Sequence, residues 1–322
     1  MRLLRMRHKS GGSDKSGLKF SKKDSKIKRL GEGISGSVDL YKLKKIAGFT
    51  YVVKTYHCKE GYESNKEYHA RVLHEYQVLS QIDNINFIKV YKYSVSFNGL
   101  NVKIFMQTGS DNLFNLLRRN TIEPTENLCL WKQICNGVRY LHANHLCHRD
   151  LKLENIVVDK NGFVKIIDMA TCTSTSDKSI GVVGSDHYIS PETITSIYYD
   201  GGKSDIWSIG IMLYYQLNHK FPWKSARLSD STYVAFKQNN HLVDTCNLPD
   251  PIMNSENQEV GIESVLRNLP RESIPLLSHI FQIDPTTRCS IDFFYNDNWF
   301  DAVASCTESS RCSFDHSRLV LV

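Results

Sequence analysis

From Lys26 to about Phe105 the apolar residues come in short β-branched and aromatic runs, broken by Gly, Asn and charged clusters. That pattern predicts strands and turns. One segment departs from it. In "NKEYHARVLHEYQVLSQI", Asn65 to Ile82, the residues Tyr68, Val72, Tyr76, Leu79 and Ile82 fall on one face at helical spacing. Glu75 lies near the middle of that face and Glu67 well off it. A carboxylate turned inward is costly unless a cation meets it, so Glu75 predicts a facing Lys or Arg. From about Asp111 onward helical periodicity dominates, interrupted by a strand-like patch at Asn155–Asp168. There "NIVVDKNGFVKIID" holds two apolar runs joined by Asp159-Lys160-Asn161-Gly162, and Asn-Gly between such runs predicts a hairpin. Closing it draws the outer ends, Asn155 and Asp168, toward each other. The fold class read from this order is α+β: a small β-rich part with one main helix, then a larger, mostly helical part. No internal repeat is visible.

The richest apolar run, "IGIMLYYQL" from Ile209 to Leu217, is far short of the ~20 residues of a membrane span and suits a buried core helix. Charge changes the picture at one end only. The chain has 322 residues and a net charge of +6. Residues 1–29 carry eleven Lys/Arg against Asp14 and Asp24, which leaves 29 basic and 32 acidic residues for the rest. The globular part is thus close to neutral, and the basic surplus belongs to an N-terminal stretch (residues 1–25) expected to be disordered. It lacks the apolar core of a secretory signal. It could touch an acidic membrane surface weakly, or simply be solvated, and no nucleic-acid partner is expected. Nine Cys without a CxxC pair suit a reducing compartment, and a cytoplasmic location is expected.

Several stretches could carry chemistry. "LGEGISGSV" places Gly31, Gly33, Gly36 and Val38 in a GxGxxGxV pattern, either a plain hairpin turn or a loop that offers backbone N–H groups to phosphate. The strand-like "VDLYKL" that follows argues against a dinucleotide fold. Lys54, inside "TYVVKTY", is a candidate partner for Glu75. In "LCHRDLKLENIVV", Asp150, Lys152 and Asn155 fit a proton acceptor, a cation for a transferred phosphoryl group and an amide for a metal into six residues. His142, His145, Cys147 and His148 crowd "YLHANHLCHRD", but no second ligand pair at zinc spacing accompanies them. They read as a helix end, its turn and a packed loop. Asp205 stands at the start of the apolar helix as a candidate N-terminal anion, and Arg288 of "DPTTR" is a candidate buried partner for Glu192 of "ISPE".

Taken in order, these motifs resemble the catalytic domain of the eukaryotic-type Ser/Thr protein kinases, from about Lys26 to about Phe300. The resemblance implies a bilobal protein-kinase fold, with an N-lobe at 26–108, a C-lobe at 109–302 and a C-terminal tail at 303–322. It implies ATP and Mg2+ as cofactors and transfer of the γ-phosphoryl group to Ser/Thr hydroxyls of a protein substrate. Leu30, Gly31, Glu32, Gly33, Ile34, Ser35, Gly36, Ser37 and Val38 would cover the ATP phosphates. Lys54, held by Glu75, would contact them. Met106 would back the adenine pocket, with Gln107 and Thr108 in the hinge. Asn155 and Asp168 would hold the metal, Asp150 would accept the hydroxyl proton, and Lys152 would offset charge on the group in transfer. "VVGSDHYISPE", "KSDIWSIGIMLYYQLNHKFPWKSA", "NLPRESIPLLSHIFQIDPTTR" and "NWFDAVASC" are similar to the fungal halotolerance and nitrogen-permease-reactivator kinases, which implies a role in controlling membrane nutrient or ion transporters.

The departures sit beside Asp168. Met169-Ala170 stands where Phe-Gly is usual. Met can fill a similar pocket, and Ala is expected to limit how the loop swings without removing a ligand. Ser185 replaces a common Thr and can still bridge Asp150 and Lys152. Arg149 is a cation that phosphorylation within Thr171–Ser185 could neutralise. A silent kinase-like scaffold is the competing reading. It would be expected to lack one of Lys54, Asp150, Asn155 and Asp168, and all four are present.

Overall fold

The computed structural model describes residues 17–33, 36–57, 59, 61–96, 99, 101–120, 122–238 and 269–320. The chain divides into two compact units, one of residues 1–83, 87–109 and 168–170, the other of residues 84–86, 110–167 and 171–322.

The first unit is built on an antiparallel sheet of five strands: β1 (Ser25–Gly33), β2 (Gly36–Lys42), β3 (Thr50–Tyr56), β4 (Val90–Val95) and β5 (Val102–Gln107), in the order β1-β2-β3-β5-β4. Helix α1 (Asn65–Leu79) packs on β4 and β5. It begins where a capping box satisfies its first amides. The Ser64 hydroxyl accepts from Glu67 N at 3.2 Å, and the Glu67 carboxylate accepts from Ser64 N at 2.8 Å. That explains why Glu67 lies off the apolar face. The buried stripe is Tyr68, Val72, Leu73, Glu75 and Leu79. Tyr76 is only half-buried, and Ile82 falls beyond the helix, which ends at Leu79.

Alternation decides what each strand presents. Along β5, Val102, Ile104 and Met106 are buried, and along β3, Val52, Lys54 and Tyr56 share one face. The opposite face carries Tyr51 and Val53, packed with Phe20, Tyr41, Tyr91 and Phe105. Phe20 lies 4.7 Å from the Tyr51 ring, and the Asp24 carboxylate accepts from the Tyr51 hydroxyl at 3.0 Å and from Ser21 N at 2.8 Å. The end of the expected N-terminal tail, Leu18 to Asp24, is therefore part of the packed unit. Three ring contacts of Phe20, with Tyr51, Tyr91 and Phe105, and a buried carboxylate supply the interactions that its low apolar content hid. Residues 1–16 of that tail lie outside the described residues.

The second unit is mostly helical. Its described elements are α2 (Leu113–Arg118), α3 (Pro124–Ala143), the short strands β6 (Leu146–Cys147), β7 (Ile156–Val158), β8 (Val164–Ile166), β9 (Thr173–Ser174) and β10 (Ser179–Ile180), then α4 (Pro191–Thr195), β11 (Tyr198–Tyr199), α5 (Gly201–Asn218), α6 (Ser231–Gln238), α7 (Ile274–Ile280), α8 (Ile291–Phe294) and α9 (Asn298–Ala302). Helix α5 is apolar nearly all round because it is buried nearly all round. The Trp131 indole of α3 donates to the Ile209 carbonyl at 3.1 Å, and Asn127 donates to the Gln216 carbonyl at 2.9 Å. Gly210 lets α7 come close: a Cβ there would lie 2.5 Å from Ile280. β7 and β8 form the expected hairpin, Ile156 opposite Ile166, with Gly162 at φ 81° in its turn. Among the described residues no helix is long and apolar enough to cross a membrane.

Candidate active site

In the first unit, strand alternation aims Lys54 at α1. Its ammonium meets the Glu75 carboxylate at 2.6 Å and Asp168 at 3.4 Å. Lys54 and Glu75 are both buried. Burial pulls the ammonium down, but the two carboxylates outweigh it, and Lys54 ends above an ordinary lysine. Tyr56, two residues on and so on the same face, donates its hydroxyl to the same Glu75 oxygen. Burial and the Glu75 charge push that hydroxyl well above an ordinary phenol, so it stays a donor. Tyr56 was not singled out in the sequence, although its i+2 offset from Lys54 in a period-2 strand is the signal that places it.

Asp168 sits at φ 61°, a strained backbone for a side chain with a Cβ. Met169 behind it is fully buried, which is the pocket-filling role expected of it. Ala170 is exposed and has no positive φ, so in this conformation alanine in place of glycine costs nothing.

Of the glycine-loop residues, Ile34 and Ser35 lie outside the described residues. Gly36 is demanded by the fold, since a Cβ there would lie 2.1 Å from the Thr55 carbonyl oxygen. At Gly31 and Gly33 a Cβ would meet nothing within 4 Å. Packing among the described residues therefore gives no reason for glycine at these two positions. Leu30 is exposed, Glu32 pairs with Arg29 at 2.6 Å, and Ser37 and Val38 stand opposite Thr55 and Lys54. Met106 is buried on β5 opposite Val52, and Gln107 and Thr108 follow it.

In the second unit, the loop from His148 to Asn155 is held from behind. The Asp205 carboxylate accepts from the backbone N–H groups of His148 and Arg149, both at 2.8 Å, and lies 2.9 Å from the His142 ring. The reading of Asp205 as a helix N-terminal anion is corrected here. Helix α5 begins four residues earlier, with Asp200 as its N-cap, and Asp205 binds the loop before Asp150 instead. His148 is buried, its ring against the Ile167 carbonyl and the Asp150 amide. Arg149 takes φ 70°, which turns the chain so that Asp150 follows.

Three side chains then close a triangle. The Lys152 ammonium donates to Asp150 at 2.7 Å and to the Ser185 hydroxyl at 2.9 Å, and that hydroxyl donates to Asp150 at 3.2 Å. The bridge expected of Ser185 is present. The Asn155 amide nitrogen donates to the Asp150 carbonyl at 2.9 Å, which leaves its Oδ1, a hard oxygen donor, for a cation. The hairpin that follows is tied back by Ile167 N to the Asn155 carbonyl at 2.9 Å. Arg149 donates to the Tyr199 hydroxyl at 2.9 Å and to the Ile180 carbonyl at 2.8 Å. Arg288 forms a two-pronged pair with Glu192 at 2.6 and 2.9 Å, fully buried and stacked over Trp207, as its sequence position suggested.

Within the first unit Lys54 can compensate negative charge and Asp168 offers a hard oxygen donor; within the second, Asp150 can accept a proton, Lys152 can compensate charge and Asn155 offers a hard oxygen donor.

Residues 25–300 match the family model described as the protein kinase domain. The chain is similar to serine/threonine-protein kinase PRR2 of Saccharomyces cerevisiae, 28% identical over 312 residues, covering 91% of this chain and 44% of that protein. It is 30% identical to serine/threonine-protein kinase oca2 of Schizosaccharomyces pombe, covering 86% of this chain and 48% of the relative. It is 29% identical to the nitrogen permease reactivator protein of Saccharomyces cerevisiae, covering 90% and 40%. The chain thus spans less than half the length of these curated relatives. With the match running through both compact units, the chain belongs to the protein kinase domain family.

Proposed function

We propose that the chain is an ATP-dependent serine/threonine protein kinase, with lobes at 26–108 and 109–302. The observation that carries this reading is the Asp150–Lys152–Ser185 triangle, a carboxylate bracketed by an ammonium and a hydroxyl in a loop held by Asp205. Asp150 orients the substrate hydroxyl and accepts its proton. Lys152 offsets negative charge that develops on the group in transfer. Lys54, kept cationic by Glu75, binds ATP phosphates, and the glycine loop covers them. Asp168 and the Asn155 amide oxygen are the ligands assigned to magnesium, and their hard oxygen atoms suit that ion. A magnesium ion held there would supply positive charge against the nucleotide phosphates.

The acceptor is a protein Ser or Thr, and the setting is cytoplasmic. Similarity to a relative named for reactivating a nitrogen permease supports a finer reading, in which the kinase regulates membrane nutrient or ion transporters. The test is transfer of radiolabelled phosphate from ATP with magnesium to a generic protein substrate, with Asp150→Asn and Asp168→Asn as controls. Label on Ser or Thr that both variants abolish is the expected result. A purified, folded chain that binds ATP and transfers nothing would make it a scaffold and refute the reading.

A further inference from the structure

Four side chains that take no part in phosphoryl transfer meet in the second unit. Cys129 lies on α3, and Cys306, Cys312 and His316 lie in the segment after α9, spaced C-x5-C-x3-H. The three Sγ atoms and a ring nitrogen of His316 all fall within 4.8 Å of one another, and this is the single such group among the described residues. Cys306 and Cys312 Sγ are 3.6 Å apart, and His316 Nε2 is 3.1 Å from Cys312 Sγ and 3.3 Å from Cys129 Sγ. A tetrahedron with Zn–S of ~2.3 Å and Zn–N of ~2.0 Å has ligand–ligand edges of about 3.5–3.8 Å. The cluster already has nearly that size. All three cysteines are free thiols.

What surrounds the four atoms also matches a metal site. The other ring nitrogen of His316, Nδ1, lies 2.8 Å from the carboxylate of fully buried Glu126, which Arg318 grips with two bonds at 2.6 Å. A carboxylate on one ring nitrogen fixes the tautomer and turns the other toward a metal. The sulfurs accept from Cys312 N at 3.4 Å, Phe314 N at 3.4 Å and Gln133 Nε2 at 3.5 Å. Such N–H donors stabilise thiolates. A purely apolar cysteine cluster would call for none of the Glu126–His316 arrangement.

We propose that Cys129, Cys306, Cys312 and His316 bind one structural zinc ion, with three thiolates and one imidazole closing the coordination sphere. Thiolate and imidazole donors favour zinc over magnesium or calcium. A fourth protein ligand leaves no open position, so the ion is structural and not catalytic. Binding releases the thiol protons to solvent. The ion staples the C-terminal segment to α3, and the same segment also rests on the turn of the β7–β8 hairpin. At that turn Arg311 donates to the Asn161 carbonyl at 3.2 Å and stacks on Phe163, and a Cβ on Gly162 would lie 3.2 Å from His316 Cβ.

The test begins with the untagged full chain purified without chelator. Elemental analysis is expected to find about one zinc per chain. Cobalt exchanged into the chelator-stripped protein should give the thiolate charge-transfer and tetrahedral d–d bands. Cys306→Ser and His316→Ala should lose both signals, whereas Cys289→Ser, at a buried cysteine outside the cluster, should keep them. Chelation should lower Tm by about 5 °C or more. Protein without zinc whose added cobalt stays octahedral overturns the proposal. So does zinc retained in full by Cys306→Ser, or a Cys306–Cys312 disulfide in the protein as isolated. If the variants do not fold, the cobalt spectrum of the unaltered chain decides.

Discussion

Removing one oxygen atom from Tyr56 tests how the buried ammonium of the first unit is held. Tyr56→Phe keeps the ring, so no cavity opens, and deletes a donor to Glu75, a carboxylate only 2% exposed. A hydrogen bond to a charged group contributes ~1.5–3 kcal/mol. Lys54 still meets Glu75 at 2.6 Å, so the ion pair survives. The loss should therefore stay below the ~3–5 kcal/mol that follows when a buried pair is broken. At roughly 2–4 °C per kcal/mol for a domain of this size, Tm should fall by about 3–12 °C. The assay is calorimetric melting of the wild type, Tyr56→Phe, Glu75→Ala and the double variant, read as a cycle. Because both changes act on one oxygen, the coupling energy should equal most of the Tyr56→Phe loss. A coupling below about 0.5 kcal/mol, the level of independent sites, would refute the shared-acceptor arrangement.

Three further outcomes are expected. Arg288→Leu strands the buried Glu192 carboxylate and should destabilise by about 3–5 kcal/mol, measured by urea unfolding, while Arg288→Leu with Glu192→Leu should recover much of that loss. Asp205→Asn keeps one acceptor oxygen for two backbone amides, so phosphotransfer kcat should drop by about tenfold or more with little change in the KM for ATP; an unchanged kcat would remove the loop-positioning role. Asp24 is pushed up by burial, but hydrogen bonds from Ser21, Lys44 and Tyr51 outweigh this and leave it below an ordinary aspartate. Its stabilising contribution is thus complete above the usual aspartate range near ~3.9 and disappears as pH falls through its lower folded value. Asp24→Asn should lower stability at pH 7 and flatten the acid limb of the stability profile, which melts between pH 7 and pH 2 would show.

Much of the loop at the proposed site is local in the chain and was legible there. Asp150, Lys152 and Asn155 lie within six residues, so their spacing alone brings them to one loop. The β7–β8 hairpin follows from Asn161-Gly162, and the Lys54–Glu75 pair follows from an inward carboxylate that needs a cation. Arg288 and Glu192 are far apart in sequence, yet both are charged groups in apolar surroundings, and that scarcity made the pairing readable. Other features depend on the packing of distant segments, which no local period encodes. Asp205 looked like a helix-start anion, because a sequence does not show that the loop at His148–Arg149 offers two amides to it. The Phe20 and Asp24 contacts escaped notice because one ring and one carboxylate do not raise mean apolar content. The cysteine cluster escaped for the same reason: Cys129 is 177 positions from Cys306, and only the path of the C-terminal segment over α3 brings the thiols and His316 together. Periodicity and short-range spacing determined the elements and the loop chemistry; convergence of side chains across long stretches of chain was decided by tertiary packing, whose contacts are set by shape and burial and not by sequence separation.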